Sequence, residues 1–119
     1  MKTYLCFNYD GEIIEKKINY KNQNDLINSE INKNYINYIL INFKKINYLL
    51  FYNNYNINNN IKNLCNIPFI NFDIYGQYII FKIDENENII NFTLNQLLKL
   101  ININISNNIL HEYSSDDFD

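Results

Sequence analysis

The chain opens on an alternating run, TYLCFNYD from Thr3 to Asp10. Leu5, Phe7 and Tyr9 fall on one side and Tyr4, Cys6 and Asn8 on the other, the period of a β-strand. A second strand-like run, EIIEKKINY, begins at Glu12, and Asp10-Gly11 stands between them. Asp-Gly in that setting predicts a hairpin closed by a type I′ turn, whose two central positions both need positive φ. In NQNDLINSEINK, Leu26, Ile27 and Ile31 share a helical face that Asn22 or Asn24 can cap. The unit reads strand, strand, helix.

The same order returns towards the other end. QYIIFKID and NIINF flank a polar turn around ENEN, and TLNQLLKLI follows. Leu94, Leu97, Leu98 and Ile101 fall at i, i+3, i+4 and i+7, the stripe of an amphipathic helix. Thr93 with Gln96 is a capping box, in which each side chain satisfies a backbone N–H of the first turn. Between these ends, YINYILINF and INYLLFYNN are β-type runs separated by Lys44-Lys45. Ile61, Leu64 and Cys65 then have helical spacing before Pro68 stops the helix, and FINFDIY (Phe69 to Tyr75) is a further strand-like run. The expected class is α+β: an antiparallel sheet of six to seven strands, with two to three helices packed on one face. The spacing admits three ββα units, although an alphabet this small also produces such likeness by chance.

Composition changes how this pattern is read. Asn and Ile dominate, and Ala, Val, Arg and Trp are missing, as expected of a very AT-rich genome such as that of a large DNA virus, a protozoan or a low-GC bacterium. The Asn-rich stretch FYNNYNINNNIKN (Phe51 to Asn63) is therefore expected to be ordered: a strand end, a polar connector and a helix start. With 47% hydrophobic residues, 11 Tyr and 8 Phe, the chain has the material for one core, and disordered chains are poor in such residues. Residues 1–111 are expected to form one domain. Residues 112–119 (EYSSDDFD) form an acidic tail, and this tail accounts for the net charge of −3. The body balances ten Lys against nine acids, without the basic excess of a general nucleic-acid binder.

The chemistry that is missing narrows the function classes. His111 is the sole histidine, so no cluster of histidines can hold a metal. Gly11 and Gly76 are far apart and there is no Gly-rich phosphate loop. Asp84 to Asn88 (DENEN) has the alternating acids and amides that begin a calcium loop, but Ile89 stands where that loop needs Gly and Asn95 where it needs Glu. Cys6 and Cys65 have apolar neighbours and read as buried thiols. Asn91-Phe-Thr93 and Asn104-Ile-Ser106 match the glycosylation acceptor pattern, which arises easily in an Asn-rich chain. The N-terminus shows no apolar signal segment and no run is long enough to span a membrane, so an intracellular protein is expected. No cofactor is expected.

The remaining features point to binding. Eleven tyrosines cannot all be core, because each buried hydroxyl needs a partner, and Tyr is favoured at interfaces. Tyr35, Tyr38, Tyr52, Tyr55, Tyr75 and Tyr78 form the candidate contact surface. Asp116, Asp117, Phe118 and Asp119 form a candidate docking tail, in which charge steers and the ring anchors. SSDDFD resembles the acidic, Phe-bearing C-termini of prokaryotic and phage single-stranded-DNA-binding proteins, a likeness of six residues. The expected function is a non-enzymatic protein-interaction or structural module whose partner is another protein or a second copy. The alternatives are a single-stranded nucleic-acid binder using aromatic stacking, and a small carboxylate- or thiol-dependent enzyme.

Overall fold

In the computed structural model, strands β1 (Thr3–Phe7) and β5 (Tyr78–Ile83) lie side by side in the middle of an antiparallel sheet. The structure describes residues 2–18, 23–31, 36–53, 62–65 and 67–109. Around the central pair stand β2 (Ile13–Lys17), β3 (Ile36–Phe43) and β4 (Ile46–Asn53), in the order β2-β1-β5-β4-β3. The two-residue β6 (Ile89–Ile90) pairs with Lys82 and Ile83 of β5, beyond the positions that β1 occupies. Thr3 joins the two short neighbours end to end. Its N–H donates to Asn91 Oδ1 at 3.0 Å, its hydroxyl donates to the Phe92 carbonyl at 2.9 Å, and its own carbonyl accepts the Phe92 N–H. With helices α1 (Gln23–Glu30) and α2 (Leu94–Ile109), the class is α+β.

The helices do not share a face. Leu26 and Ile27 of α1, with Ile31 just beyond it, pack on Tyr4, Cys6, Phe51, Ile79 and Phe81. Leu97 of α2 packs on the opposite side with Leu5, Phe7, Tyr48, Leu50, Tyr78 and Ile80. This corrects the expectation of helices on one face, and the cause is in the strands. Every residue of β1 is buried, and so is all of β5 except Lys82, which is half-buried. A strand that is apolar on both sides needs cover on both. The Glu30 carboxylate accepts Lys16 Nζ at 3.1 Å and Gln77 Nε2 at 3.2 Å, tying the end of α1 to the sheet. At the start of α2 the Leu94 N–H donates to Glu15 Oε1 of β2 at 2.7 Å, which ties this helix to the sheet. The capping box of α2 is formed as expected: Thr93 N donates to Gln96 Oε1, and Gln96 N donates to Thr93 Oγ1, each at 3.2 Å.

The middle of the chain departs from the strand–strand–helix reading. Residues 62–65 are not helical, and Ile61 lies outside the described residues. FINFDIY is not a strand; its only β contact among the described residues is the isolated bridge between Lys62 and Tyr75. Instead, residues 62–65 and 67–76 form an irregular layer over the face that α2 also covers. Ile67 and Ile74 are buried there, and Phe69 stacks on Tyr48 with ring centroids 4.8 Å apart. Among the described residues there are thus six strands, two helices and no third ββα unit.

The hairpins stand where the sequence signals put them, but the first is not closed by the expected type I′ turn. Gly11 N donates to the Asn8 carbonyl, Asn8 N donates to the Glu12 carbonyl, and only Gly11 of this loop has positive φ, at 99°. That is a three-residue loop, a type I turn followed by a left-handed residue, rather than type I′. The β5–β6 hairpin repeats the design, with Glu87 at φ 65° in the left-handed position and Asp84 Oδ1 accepting the N–H groups of Asn86 and Asn88. The two-residue turn belongs to Lys44-Lys45, at φ 52° and 67°, between the paired residues Phe43 and Ile46. Lysine has no steric licence for that backbone, as Gly does, so the long β3–β4 ladder holds the turn rather than the reverse.

Candidate interaction surface

β3 forms one margin of the sheet, and no described strand pairs with its outer side. It is eight residues long and its sequence, INYILINF, contains no charge and no Pro. The opposite margin, β2, reads IIEKK and carries Glu15, Lys16 and Lys17. Charges on an outer strand deter pairing with another chain, and a long uncharged one invites it. The two margins therefore differ in kind.

The register shows which backbone groups face outward. Phe43 and Ile46 close a two-residue turn, which makes them a hydrogen-bonded pair. Bonded and non-bonded pairs alternate, so Asn37, Ile39, Ile41 and Phe43 bond to β4. The N–H and C=O groups of Ile36, Tyr38, Leu40 and Asn42 then point away from the sheet. One contact agrees independently: the exposed Tyr38 N–H is taken by its neighbour's side chain, Asn37 Oδ1, at 3.0 Å.

The side chains of these outward residues are apolar where it matters. Tyr38 is 63% exposed and Leu40 55%. Both lie on the α1 side of the sheet, opposite Phe51 and Leu49. The Tyr38 ring leans on Phe51 at 5.8 Å between centroids. Next to it runs a groove of about 300 Å³ lined by Tyr38, Leu49, Phe51, Ile83, Glu87 and Ile89. The surface is thus a backbone edge with an apolar flank.

Of the tyrosines picked from sequence that are described, Tyr38 alone lies on this edge. Tyr52 is half-buried on the other face, where its hydroxyl accepts Asn37 Nδ2 at 3.1 Å. Tyr75 is half-buried in the bridge to Lys62. Tyr78 is a correction. It is 1% exposed, stacked on Phe7 at 4.7 Å, and belongs to the core rather than to a contact surface. Its hydroxyl is buried with no hydrogen-bond partner among the described residues. Tyr35, Tyr55, His111 and the tail residues Asp116, Asp117, Phe118 and Asp119 lie outside the described residues. The residue that sequence reading missed is Leu40. The signal was available: a long strand-like run with no charge, whereas EIIEKKINY carries four.

The other candidate chemistries are placed as follows. Cys6 and Cys65 are free thiols. Burial, reinforced by the nearby Glu30 carboxylate, pushes Cys6 up to about 12. Burial, with Asp10, pushes Cys65 up to about 11. Both are protonated at neutral pH, the form of a thiol that is a poor nucleophile. No group of three or more His, Cys, Asp or Glu side chains comes together among the described residues, and Asp84 is occupied by its own turn. No helix among them is long and apolar enough to cross a membrane. Among the described residues the exposed rings are dispersed: Tyr9 in the β1–β2 loop, Tyr38 on β3 and Phe72 in the irregular layer. No protein-family model, curated protein or solved structure matches the chain.

Proposed function

We propose that this chain is a protein-interaction module that accepts a partner's β-strand along β3. The observation that carries this reading is the contrast between the two margins: β2 is guarded by charge, while β3 offers outward backbone groups flanked by exposed Tyr38 and Leu40. In strand addition the backbone hydrogen bonds supply affinity and alternate side chains supply selectivity. Tyr38 and Leu40 occupy such alternate positions on one face.

Leu40→Lys tests the reading. A lysine on an outer strand is a common natural guard, and the exposed site tolerates it. The expected result is that a tagged chain recovered from its native source loses its bound protein at least tenfold in the variant, while the melting temperature moves by about 2 °C or less. Retention of the same bound protein by folded Leu40→Lys would remove β3 as the binding edge.

A further inference from the structure

Resting on that reading, we infer that the strand taken up by β3 is β3 of a second copy, antiparallel, about a two-fold axis through Ile39. The outward residues are Ile36, Tyr38, Leu40 and Asn42, a set symmetric about Ile39. For the new ladder's hydrogen bonds to form, outward residues must face outward residues, and both copies present even-numbered ones. Centring the axis on Ile39 matches all four: Ile36 with Asn42 of the copy, Tyr38 with Leu40, Leu40 with Tyr38, and Asn42 with Ile36. A shift by one pair in either direction leaves outward groups of the strand unmatched.

Side chains and charge favour the same register. The two most exposed apolar residues of β3 fall opposite each other in both directions, so each Tyr38 ring covers a Leu40 of the copy. Aromatic–aliphatic pairs across strands are stabilising, by about 0.2–1 kcal/mol each. The two apolar flanks join on the same side of a continuous sheet. β3 itself brings no charge to the contact. The antiparallel arrangement holds the Lys44-Lys45 turns at opposite ends, about 35 Å apart, whereas parallel addition would set four lysines together. An isologous contact of this kind closes at two copies. It is smaller than a standard interface, so the dimer is weak, with a dissociation constant of order micromolar.

Ile39→Cys reads the register directly. Ile39 is a non-hydrogen-bonded position in the new ladder, where facing Cα atoms lie about 4.5 Å apart, inside the range a disulfide needs. In a Cys65→Ser background, mild oxidation by oxidised glutathione is expected to convert Ile39→Cys to a covalent dimer. Ile41→Cys, whose copies stand about 13 Å apart, is expected to give less than about a tenth as much. Sedimentation of the wild-type chain is expected to show mass rising from 14.4 kDa towards twice that value with concentration, and Leu40→Lys is expected to abolish the rise. A wild-type monomer at all concentrations up to about 1 mM would overturn self-pairing. The edge reading would still stand if native capture remained sensitive to Leu40→Lys. Equal cross-linking at positions 39 and 41, or a dimer indifferent to Leu40→Lys, would overturn the proposed pairing.

Discussion

Asn63→Ala is expected to cost about 3 kcal/mol of folding stability, a large part of what a domain this size has. Asn63 is 8% exposed and sits where the irregular layer meets the sheet. Its Nδ2 donates to the carbonyls of Phe7, at 3.0 Å, and Gly76, at 2.7 Å. Its Oδ1 accepts the Cys65 N–H at 2.9 Å. Alanine removes all three bonds, leaving the buried Phe7 carbonyl and two half-buried partners unmet, and an unmet buried group carries a desolvation penalty of about 1–3 kcal/mol. Asn63→Asp is expected to be at least as damaging, because it turns a carboxylate towards two carbonyl oxygens. Asn71→Asp, on the exposed part of the same layer, is the control and is expected to be near neutral. Urea denaturation measures all three. A loss below about 1 kcal/mol for Asn63→Ala would mean the layer is held by its apolar residues Ile67, Ile74 and Phe69 alone.

Raising the pH above about 9 is expected to destabilise the fold steeply. The ordinary thiol value is 9.0, and burial raises Cys6 to about 12 and Cys65 to about 11. Burial raises Tyr48 and Tyr78 as well. In each window the folded chain keeps a proton that the unfolded chain has lost. The folded state thus binds more protons, and the free energy of unfolding falls as pH rises. This contribution is fully present below pH 9 and is lost as pH climbs through the folded values. Each group removes at most about 1.4 kcal/mol per pH unit within its window. The urea midpoint should be level from pH 6 to 8 and fall from pH 9 to 11. Cys6→Ala with Cys65→Ala should flatten part of the fall and leave the share of the tyrosines. A level midpoint to pH 11 in the wild-type chain would contradict the buried placement of these groups.

The parts of this fold that can be read from sequence are the ones decided locally. Thr93 and Gln96 cap α2 because each reaches a backbone group three residues away. Leu26, Ile27 and Ile31 line one side of α1 and its end because helical period alone sets their direction. The failures are decided over distance. Ile61, Leu64 and Cys65 have helical spacing, but Asn63 is drawn to the Phe7 carbonyl, 56 positions away, and residues 62–65 are not helical. The placement of α1 and α2 on opposite faces follows from Tyr4 and Cys6 being buried as fully as Leu5 and Phe7, which alternation along β1 does not decide by itself. The type I′ turn at Lys44-Lys45 has no signal in its own residues and exists because β3 and β4 pair over their whole length. Tyrosine identity was a poor guide to the surface: of the chosen residues that are described, Tyr38 is exposed and Tyr78 is core.

Residue-resolved amide hydrogen exchange along β3, in dilute and in concentrated protein, tests the central claim most directly. In dilute protein, Asn37, Ile39, Ile41 and Phe43 should be protected by β4, while Ile36, Leu40 and Asn42 exchange fast. Tyr38 should fall between, because Asn37 Oδ1 holds its N–H. Concentrating the protein should slow the second set and leave the first unchanged. Uniform protection of all eight amides in dilute protein, or fast exchange of the odd-numbered set, would contradict β3 as the open strand of this sheet.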